Sequence, residues 1–205
     1  MNDAPDLDAL RGEMRRRRAR LSASEHAQYS EQICALLMRD PTYRRAKTIG
    51  LYCAVAGEVD LTPLLTDLWE RGRTACLPVV ASRGRRMTFH RVGPESELRM
   101  DRYGIPTPVE AARVRRCELD LLLMPVVAFD ASGQRIGMGA GYFDRFLAPL
   151  KHRARPARPR VFGCAYGFQE VPELPRSAWD VPLDAVVTEA GLRHFTAREM
   201  PCTAG

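Results

Sequence analysis

Apolar positions along the chain fall into two periodicities, and their order of alternation sets the expected fold. Leu7, Leu10, Met14 and Leu21 are three, four and seven residues apart, the spacing of one helical stripe, with the run Arg15–Arg18 inside it. Ser22-Ala-Ser-Glu25 has the capping-box pattern: Ser22 can bond the amide of Glu25, and Glu25 can reach back. A second helix is therefore expected to start there, bury Tyr29, Ile33 and Leu36 or Leu37, and end at Asp40-Pro41. Thr48–Ala54 reads as a buried strand. Asp60 is placed to cap a helix holding Leu61, Leu64, Leu65 and Leu68, stopped by Gly72. Thr74–Val80 and Met87–Val92 read as strands. Gly93–Arg116 is polar, punctuated by Pro94, Gly104, Pro106 and Pro108, and is expected to be mostly loop. Asp120–Phe129 is apolar on both faces, as a strand in a sheet covered on both sides would be. A Gly-rich loop over Asp130–Gly141 then precedes a helix over Phe143–Leu150. After a basic loop at Arg153–Arg160, Val161–Ala165 and Asp184–Thr188 complete the strands. Strands alternating with helices predict an α/β fold, a three-layer α/β/α arrangement with a largely parallel sheet.

The 205 residues suffice for one sizeable core. Residues 1–205 are read as one domain, with N-terminal helices over 1–40, an α/β body over 41–195 and a disordered tail over 196–205. The net charge is +6, and it is local. Residues 11–20 carry six arginines and one acid, and residues 151–160 carry five cations and no acid. These blocks contribute +10, so the other 185 residues sum to −4. A near-neutral body with two basic patches argues against a general nucleic-acid binder and suits small phosphorylated or carboxylated ligands. Six cysteines (34, 53, 76, 117, 164, 202) and four histidines (26, 90, 152, 194) show neither zinc nor dithiol spacing. Cys53 and Cys164 lie in apolar runs, where a thiol acts as a small hydrophobe. A reducing, cytoplasmic setting is expected. The acidic N-terminus has no apolar segment of a signal peptide, and Leu119–Phe129, interrupted by Asp120 and Pro125, is too short to span a bilayer.

Four groups of residues suggest chemistry. The first is Arg135-Ile-Gly137-Met-Gly139-Ala-Gly141-Tyr-Phe-Asp144-Arg145. Glycines at alternate positions let the backbone approach a ligand closely, and amides there and at the following helix start can bind phosphate oxygens. Arg135 adds charge, and Asp144 is a carboxylate that could hold Mg²⁺ beside those phosphates. The pattern is neither a P-loop nor GxGxxG, and a plain turn with a capping Asp is its structural alternative. The second is Glu58, which follows the Thr48–Ala54 strand at the end of a parallel sheet where ligand crevices form; its alternative is an exposed loop acid. Third, Arg11, Arg15 and Arg18 share a helical face and can converge on one anion, or form a solvated face. Fourth, Trp179-Asp180-Val-Pro182-Leu-Asp184 offers Asp180 to a metal site, or makes a turn.

Taken in order, these pieces resemble the 5-formyltetrahydrofolate cyclo-ligase family. The matching residues run over most of the chain. They include Leu10-Arg11 before the Arg-rich helix, Ile49–Ala54 leading to Gly57-Glu58-Val-Asp60, Leu77-Pro78-Val79, and Tyr103-Gly-Ile-Pro106-Thr-Pro108. Further on come Leu119-Asp120 to Phe129-Asp130, Gly133–Arg145, Gly163–Tyr166, Trp179–Asp184 and Val187-Thr188-Glu189. The resemblance implies conversion of 5-formyltetrahydrofolate and ATP to 5,10-methenyltetrahydrofolate, ADP and phosphate with Mg²⁺. It also implies a fold similar to sugar-phosphate isomerases and CoA-transferases. By position, Arg11, Arg15 and Arg135, Ile136, Gly137, Met138, Gly139, Ala140, Gly141, Tyr142 and Phe143 would bind ATP. Cys53, Glu58, Tyr103 and the stretch from Met138 to Tyr142 would touch the folate. Asp144 and Asp180 would hold the metal, and Glu58, Arg135 and Tyr142 would serve catalysis. Three positions depart from the family pattern: Leu7 where a Lys is frequent, Phe143 in place of a second Tyr, and Ala140 where a Lys sometimes stands.

The implied chemistry is coherent. Phosphorylating the formyl oxygen makes it a leaving group, and attack by N10 then closes the ring and expels phosphate. Such a transfer needs mainly positioning and charge neutralisation. A small-molecule enzyme, monomeric or weakly self-associating and away from membranes, is expected. Two other readings remain open at this level. A sugar-phosphate isomerase or acyl-CoA transferase on a related scaffold would be ATP-independent. An RNA- or anion-binding module would lose affinity steeply with salt.

Overall fold

An eight-stranded sheet forms the centre of the computed structural model, which describes residues 6–81, 86–150, 158–175 and 180–195. The chain opens with α1 (Leu7–Ala19), α2 (Ala23–Arg39) and α3 (Pro41–Arg45). It continues through β1 (Thr48–Gly50), α4 (Thr62–Glu70), β2 (Thr74–Val80) and β3 (Met87–Val92). Short strands follow: β4 (Leu98–Met100), β5 (Pro106–Pro108) and β6 (Arg113–Val114). Then come β7 (Leu121–Pro125), β8 (Ala128–Phe129), β9 (Arg135–Ile136) and α5 (Tyr142–Leu147). The last elements are β10 (Arg160–Cys164), β11 (Ala185–Thr188) and β12 (Gly191–His194). The sheet order is β12-β11-β10-β7-β1-β2-β3-β6. Strands β11 through β2 in that order pair in parallel, and the outer pairings are antiparallel.

Alternation along the strands builds two cores. Ile49, Ala75, Leu77, Leu121, Leu123, Phe162, Ala185 and Val187 face α2, α3 and α4. Cys76, Leu122, Met124, Val161 and Val186 face the opposite way, onto Leu147 of α5, Leu150, Val181 and Leu183. This is the covering on both faces that the apolar β7 run predicts. Gly50 sits on this second face because a Cβ there would lie 2.9 Å from Leu122 Cδ1 and 3.0 Å from the Phe89 ring.

Several boundaries differ from expectation. The strand expected over Thr48–Ala54 ends at Gly50: Leu51 still donates to the Cys76 carbonyl at 2.8 Å, and the chain then leaves the ladder for a turn in which the Glu58 amide donates to Val55. The strand expected over Asp120–Phe129 divides at Pro125, which offers no amide to a ladder; β8 turns away to pair with β9 inside the expected Gly-rich loop. Gly93–Arg116 holds β6 and the hairpin of β4 and β5; exposed β4 and the short, Pro-containing, largely buried β5 show no apolar alternation to read. The helix begins at Tyr142 rather than Phe143 and gives way to a 3₁₀ turn at Ala148, next to Pro149. Asp60 does not occupy the cap position itself; its Oδ1 accepts from the amide and hydroxyl of Thr62. β12 was not expected. Residues 153–157 of the basic loop, Trp179 and the tail over 196–205 lie outside the described residues.

Candidate functional site

The chain leaves β1 toward β2 on one side, whereas β7 leads to β10 on the other, so the connections diverge between β1 and β7. In such sheets the crevice forms outside the carboxyl ends of the diverging strands. Glu58 follows β1 there. The loop Gly137–Gly141 follows β7, β8 and β9.

Helix α1 joins these two pieces. Arg11 Nε donates to the Gly137 carbonyl at 2.9 Å, and its guanidinium would lie 3.7 Å from a Cβ placed on Gly139. Two turns further along, Arg18 approaches Glu58, with Nη1 3.7 Å from Oε1. Seven residues of helix span about 10 Å, so one rigid element sets the separation of the Gly-rich loop and Glu58. The three arginines do not converge as their spacing allows. Arg15 is exposed and donates to the Arg11 carbonyl at 3.3 Å, and Arg18 is buried on the apolar stripe beside Met14.

Glu58 is buried, and its Oε2 accepts from the Val55 amide at 3.2 Å. Burial raises its pKa above the usual carboxylate range, against the opposing pull of Arg18 and the Val55 amide. His26 Nε2 lies 2.8 Å from the Glu58 carbonyl, and Tyr166 donates to the Gly57 carbonyl at 3.1 Å.

In the Gly-rich loop, Gly139 and Gly141 have φ of +93° and +67°, which disfavour any residue with a Cβ. Met138, Gly139 and Ala140 are exposed. Ile136 is buried against Met14, Val127, Ala128 and Leu174, so its side chain anchors the loop's entry. Phe143 packs against the core under α5. α5 has only six residues, so an anion site at this place would rest on loop amides and arginines more than on a helix terminus. Arg135 Nη2 donates to Asp144 Oδ1 at 2.8 Å, and the buried Arg135 Nε has no hydrogen-bond partner. Asp180 is half-buried and has an interaction partner of its own.

The β4–β5 hairpin forms the other wall. Tyr103, in its turn, places its hydroxyl 2.8 Å from that of Tyr142, and Arg102 donates to Tyr142 at 3.0 Å. These bonds hold the Tyr142 hydroxyl below its ordinary range, the Tyr103 bond most of all. Cys53 Sγ donates to the Pro106 carbonyl of the same hairpin at 3.4 Å. Burial pushes its thiol up to about 11, so Cys53 is a neutral wall rather than a nucleophile.

The structure thus brings together Arg11, Arg18, Glu58 and the Gly-rich loop, and separately Cys53, Tyr103 and Tyr142 along one hairpin. Sequence reasoning missed Arg18 as the partner of Glu58, and Arg102. A signal for Arg18 exists: it lies four residues after Met14 and three before Leu21, on the apolar stripe. A shallow groove of about 560 Å³ lined by Trp69, Arg73, Arg91 and Glu110 lies at the opposite, amino-terminal edge of the parallel strands and touches none of these residues.

An α/β scaffold thus carries an open glycine loop, an adjacent arginine–carboxylate pair and a buried carboxylate at the strand ends. The profile of the 5-formyltetrahydrofolate cyclo-ligase family matches residues 4–189, and the chain belongs to this enzyme family. It is 37% identical over 179 residues to the 5-formyltetrahydrofolate cyclo-ligase of Escherichia coli K12, covering 85% of this chain and 96% of that protein. It is 33% identical over 177 residues to that of Haemophilus influenzae, covering 85% and 92%. Among solved structures, the 5,10-methenyltetrahydrofolate synthetase of Aquifex aeolicus superposes with a TM-score of 0.79 at 35% identity, covering 96% of each chain. The Mycoplasma pneumoniae 5,10-methenyltetrahydrofolate synthetase gives 0.71 at 26% identity, covering 90% of this chain and 99% of that one.

Proposed function

We propose that the protein closes 5-formyltetrahydrofolate to 5,10-methenyltetrahydrofolate, using ATP and Mg²⁺ and releasing ADP and phosphate. The observation that carries this reading is the α1 bridge: one helix ties Arg11 to the Gly-rich loop and Arg18 to Glu58. A site that must join a nucleotide phosphate to a pterin-borne formyl group needs such a fixed spacing.

In this reading the amides of Gly137 to Gly141, with Arg11, Arg15 and Arg135, hold the triphosphate beside Ile136, Tyr142 and Phe143. Glu58 accepts hydrogen bonds from the pterin's N–H donors and orients the formyl group. Cys53, Tyr103, Met138 and Tyr142 line the folate. Arg135 neutralises charge on the transferred phosphoryl group, and Tyr142 supports it through its hydroxyl. Asp144 and Asp180 are the residues that would hold Mg²⁺, which when bound neutralises phosphate charge. The donor set suits that ion: Mg²⁺ is usually held by one or two carboxylates with phosphate oxygens and water, and Asp144 and Asp180 would be those carboxylates. A cytoplasmic compartment, a monomer or weak homo-oligomer, and a fold akin to sugar-phosphate isomerases and CoA-transferases complete the reading. No helix among the described residues is long and apolar enough to cross a membrane.

The test is absorbance of the purified protein with 5-formyltetrahydrofolate, with and without MgATP. The methenyl product has a conjugated amidinium chromophore that the substrate lacks. Growth of that band only with ATP is expected. A folded protein that produces none with MgATP refutes the reaction.

A further inference from the structure

Of the six arginines between residues 11 and 20, only Arg18 is buried. Its side chain is 2% exposed and that of Glu58 7%. The 3.7 Å separation of Nη1 and Oε1 is an ion pair but too long for a hydrogen bond. Arg18 Nε and Nη2 are buried and meet no acceptor. On the other side of the pair, Glu58 Oε2 has the Val55 amide, whereas no described residue donates a hydrogen bond to Oε1. A guanidinium keeps its proton in a protein and is costly to enclose without acceptors. Arg–carboxylate pairs frequently bond directly, the planar fork meeting both oxygens. Here the cation is close enough to exert its charge and too far to occupy the oxygen.

We infer that Arg18 is the positioning residue of Glu58: its enclosed guanidinium keeps the carboxyl ionised while leaving Oε1 to accept from the substrate's N–H donors. The inference rests on the folate-binding role proposed above for Glu58. A carboxyl group is acceptor-only on both oxygens when ionised, whereas protonation turns one oxygen into a donor, and burial opposes ionisation here. The other titratable groups around Glu58 are His26 on α2, whose Nε2 meets the Glu58 carbonyl, Tyr52 and Asp60 on the segment after β1, and Tyr166 after β10.

The experiment measures kcat/KM for 5-formyltetrahydrofolate against pH at saturating MgATP, in wild type, Arg18→Met, Arg18→Lys, Glu58→Gln and His26→Gln. Arg18→Met should move the acidic limb upward by about one pH unit, a tenfold change in ionised fraction on that limb, with the KM for ATP within about twofold of wild type. Arg18→Lys should return the limb most of the way by restoring the charge. Glu58→Gln should lose folate binding at every pH. An Arg18→Met profile lowered equally at all pH values marks a packing role and overturns the inference. So does an acidic limb that disappears in His26→Gln, because the titration then belongs to that ring. A Glu58→Gln enzyme with wild-type folate KM instead refutes the role of Glu58, whatever Arg18→Met does. If Arg18→Met does not fold, ¹³C-carboxyl NMR of Glu58 in the wild-type protein decides: an ionised group at neutral pH is expected, and a protonated one overturns the inference.

Discussion

Two arginine–carboxylate clusters lie at opposite edges of one sheet and are built differently. At the amino ends of the parallel strands, Asp67 on α4 accepts from Tyr43 at 2.9 Å and Arg71 Nε at 2.6 Å, and also bonds Arg73, whose guanidinium lies over the Tyr43 ring. At the carboxyl ends, Glu58 has one amide and a guanidinium held at 3.7 Å. Burial acts to raise both carboxyls. Around Asp67 it is outweighed by the hydrogen bonds from Arg71 and Tyr43 and the charges of Arg71 and Arg73, so the group falls below its usual value near 3.8. At Glu58 burial prevails. Donors surround Asp67, and they are withheld from Glu58, the carboxylate proposed to bind the folate.

The strongest way to break this contrast is at the third such pair, Arg135 with Asp144, which lies on the Glu58 side. Its carboxylate is 37% exposed but the Arg135 side chain only 5%, so removing the carboxylate also leaves an enclosed guanidinium short of an acceptor. Asp144→Ala should lower kcat by about 10²-fold or more, the scale expected when a charge-stabilising group is removed from a reacting centre. The melting temperature should fall as Arg135 loses that acceptor, so kcat is read where the variant is folded. Near-normal turnover at saturating Mg²⁺ would remove Asp144 from the metal role and make this pair a structural one.

At the other edge the balance should invert. Asp67→Asn is expected to cost about 1–3 kcal/mol of stability, because Tyr43 and Arg73 lose a charged acceptor, and to leave kcat/KM within about twofold. The pH dependence follows from the depressed carboxyl. Its contribution is full above the unfolded value and is lost as pH falls through the lower folded value. Chemical denaturation should therefore show the gap between wild type and Asp67→Asn widest at neutral pH and narrowing below about pH 4. A gap that widens in acid would contradict the assignment.

The same contrast explains what was legible in the sequence. Rules confined to a few residues read well. The Ser22–Glu25 box forms both of its bonds, and β2 and β3 span the expected residues. The Gly137–Gly141 segment leads into α5 as expected, and Glu58 lies beyond β1. Facts that depend on distant partners read poorly. Glu58 and Arg18 meet because α1 crosses the strand ends, which no local spacing encodes. The β4–β5 hairpin pairs an exposed strand with a three-residue strand holding two prolines, so neither period nor propensity marks it, yet it carries Tyr103 to a residue 39 positions away. Arginines 15 to 18 look alike in a run, and only the apolar stripe separates the buried one from its exposed neighbours.

The smallest expected effect tests whether the exposed wall of the site matters less than the buried one. Tyr142→Phe removes the hydroxyl shared by Tyr103 and Arg102 while keeping the ring that faces Tyr103 edge-on at 6.3 Å between centroids. A hydrogen bond in an exposed setting contributes about 1 kcal/mol, so kcat/KM for the folate should fall by about fivefold. Tyr103→Phe acts on the same bond, so the double variant should be little worse than either single one. Additive losses would mean that each hydroxyl meets substrate on its own. A loss matching that of Glu58→Gln would place the hairpin, rather than the α1 side, at the centre of folate recognition.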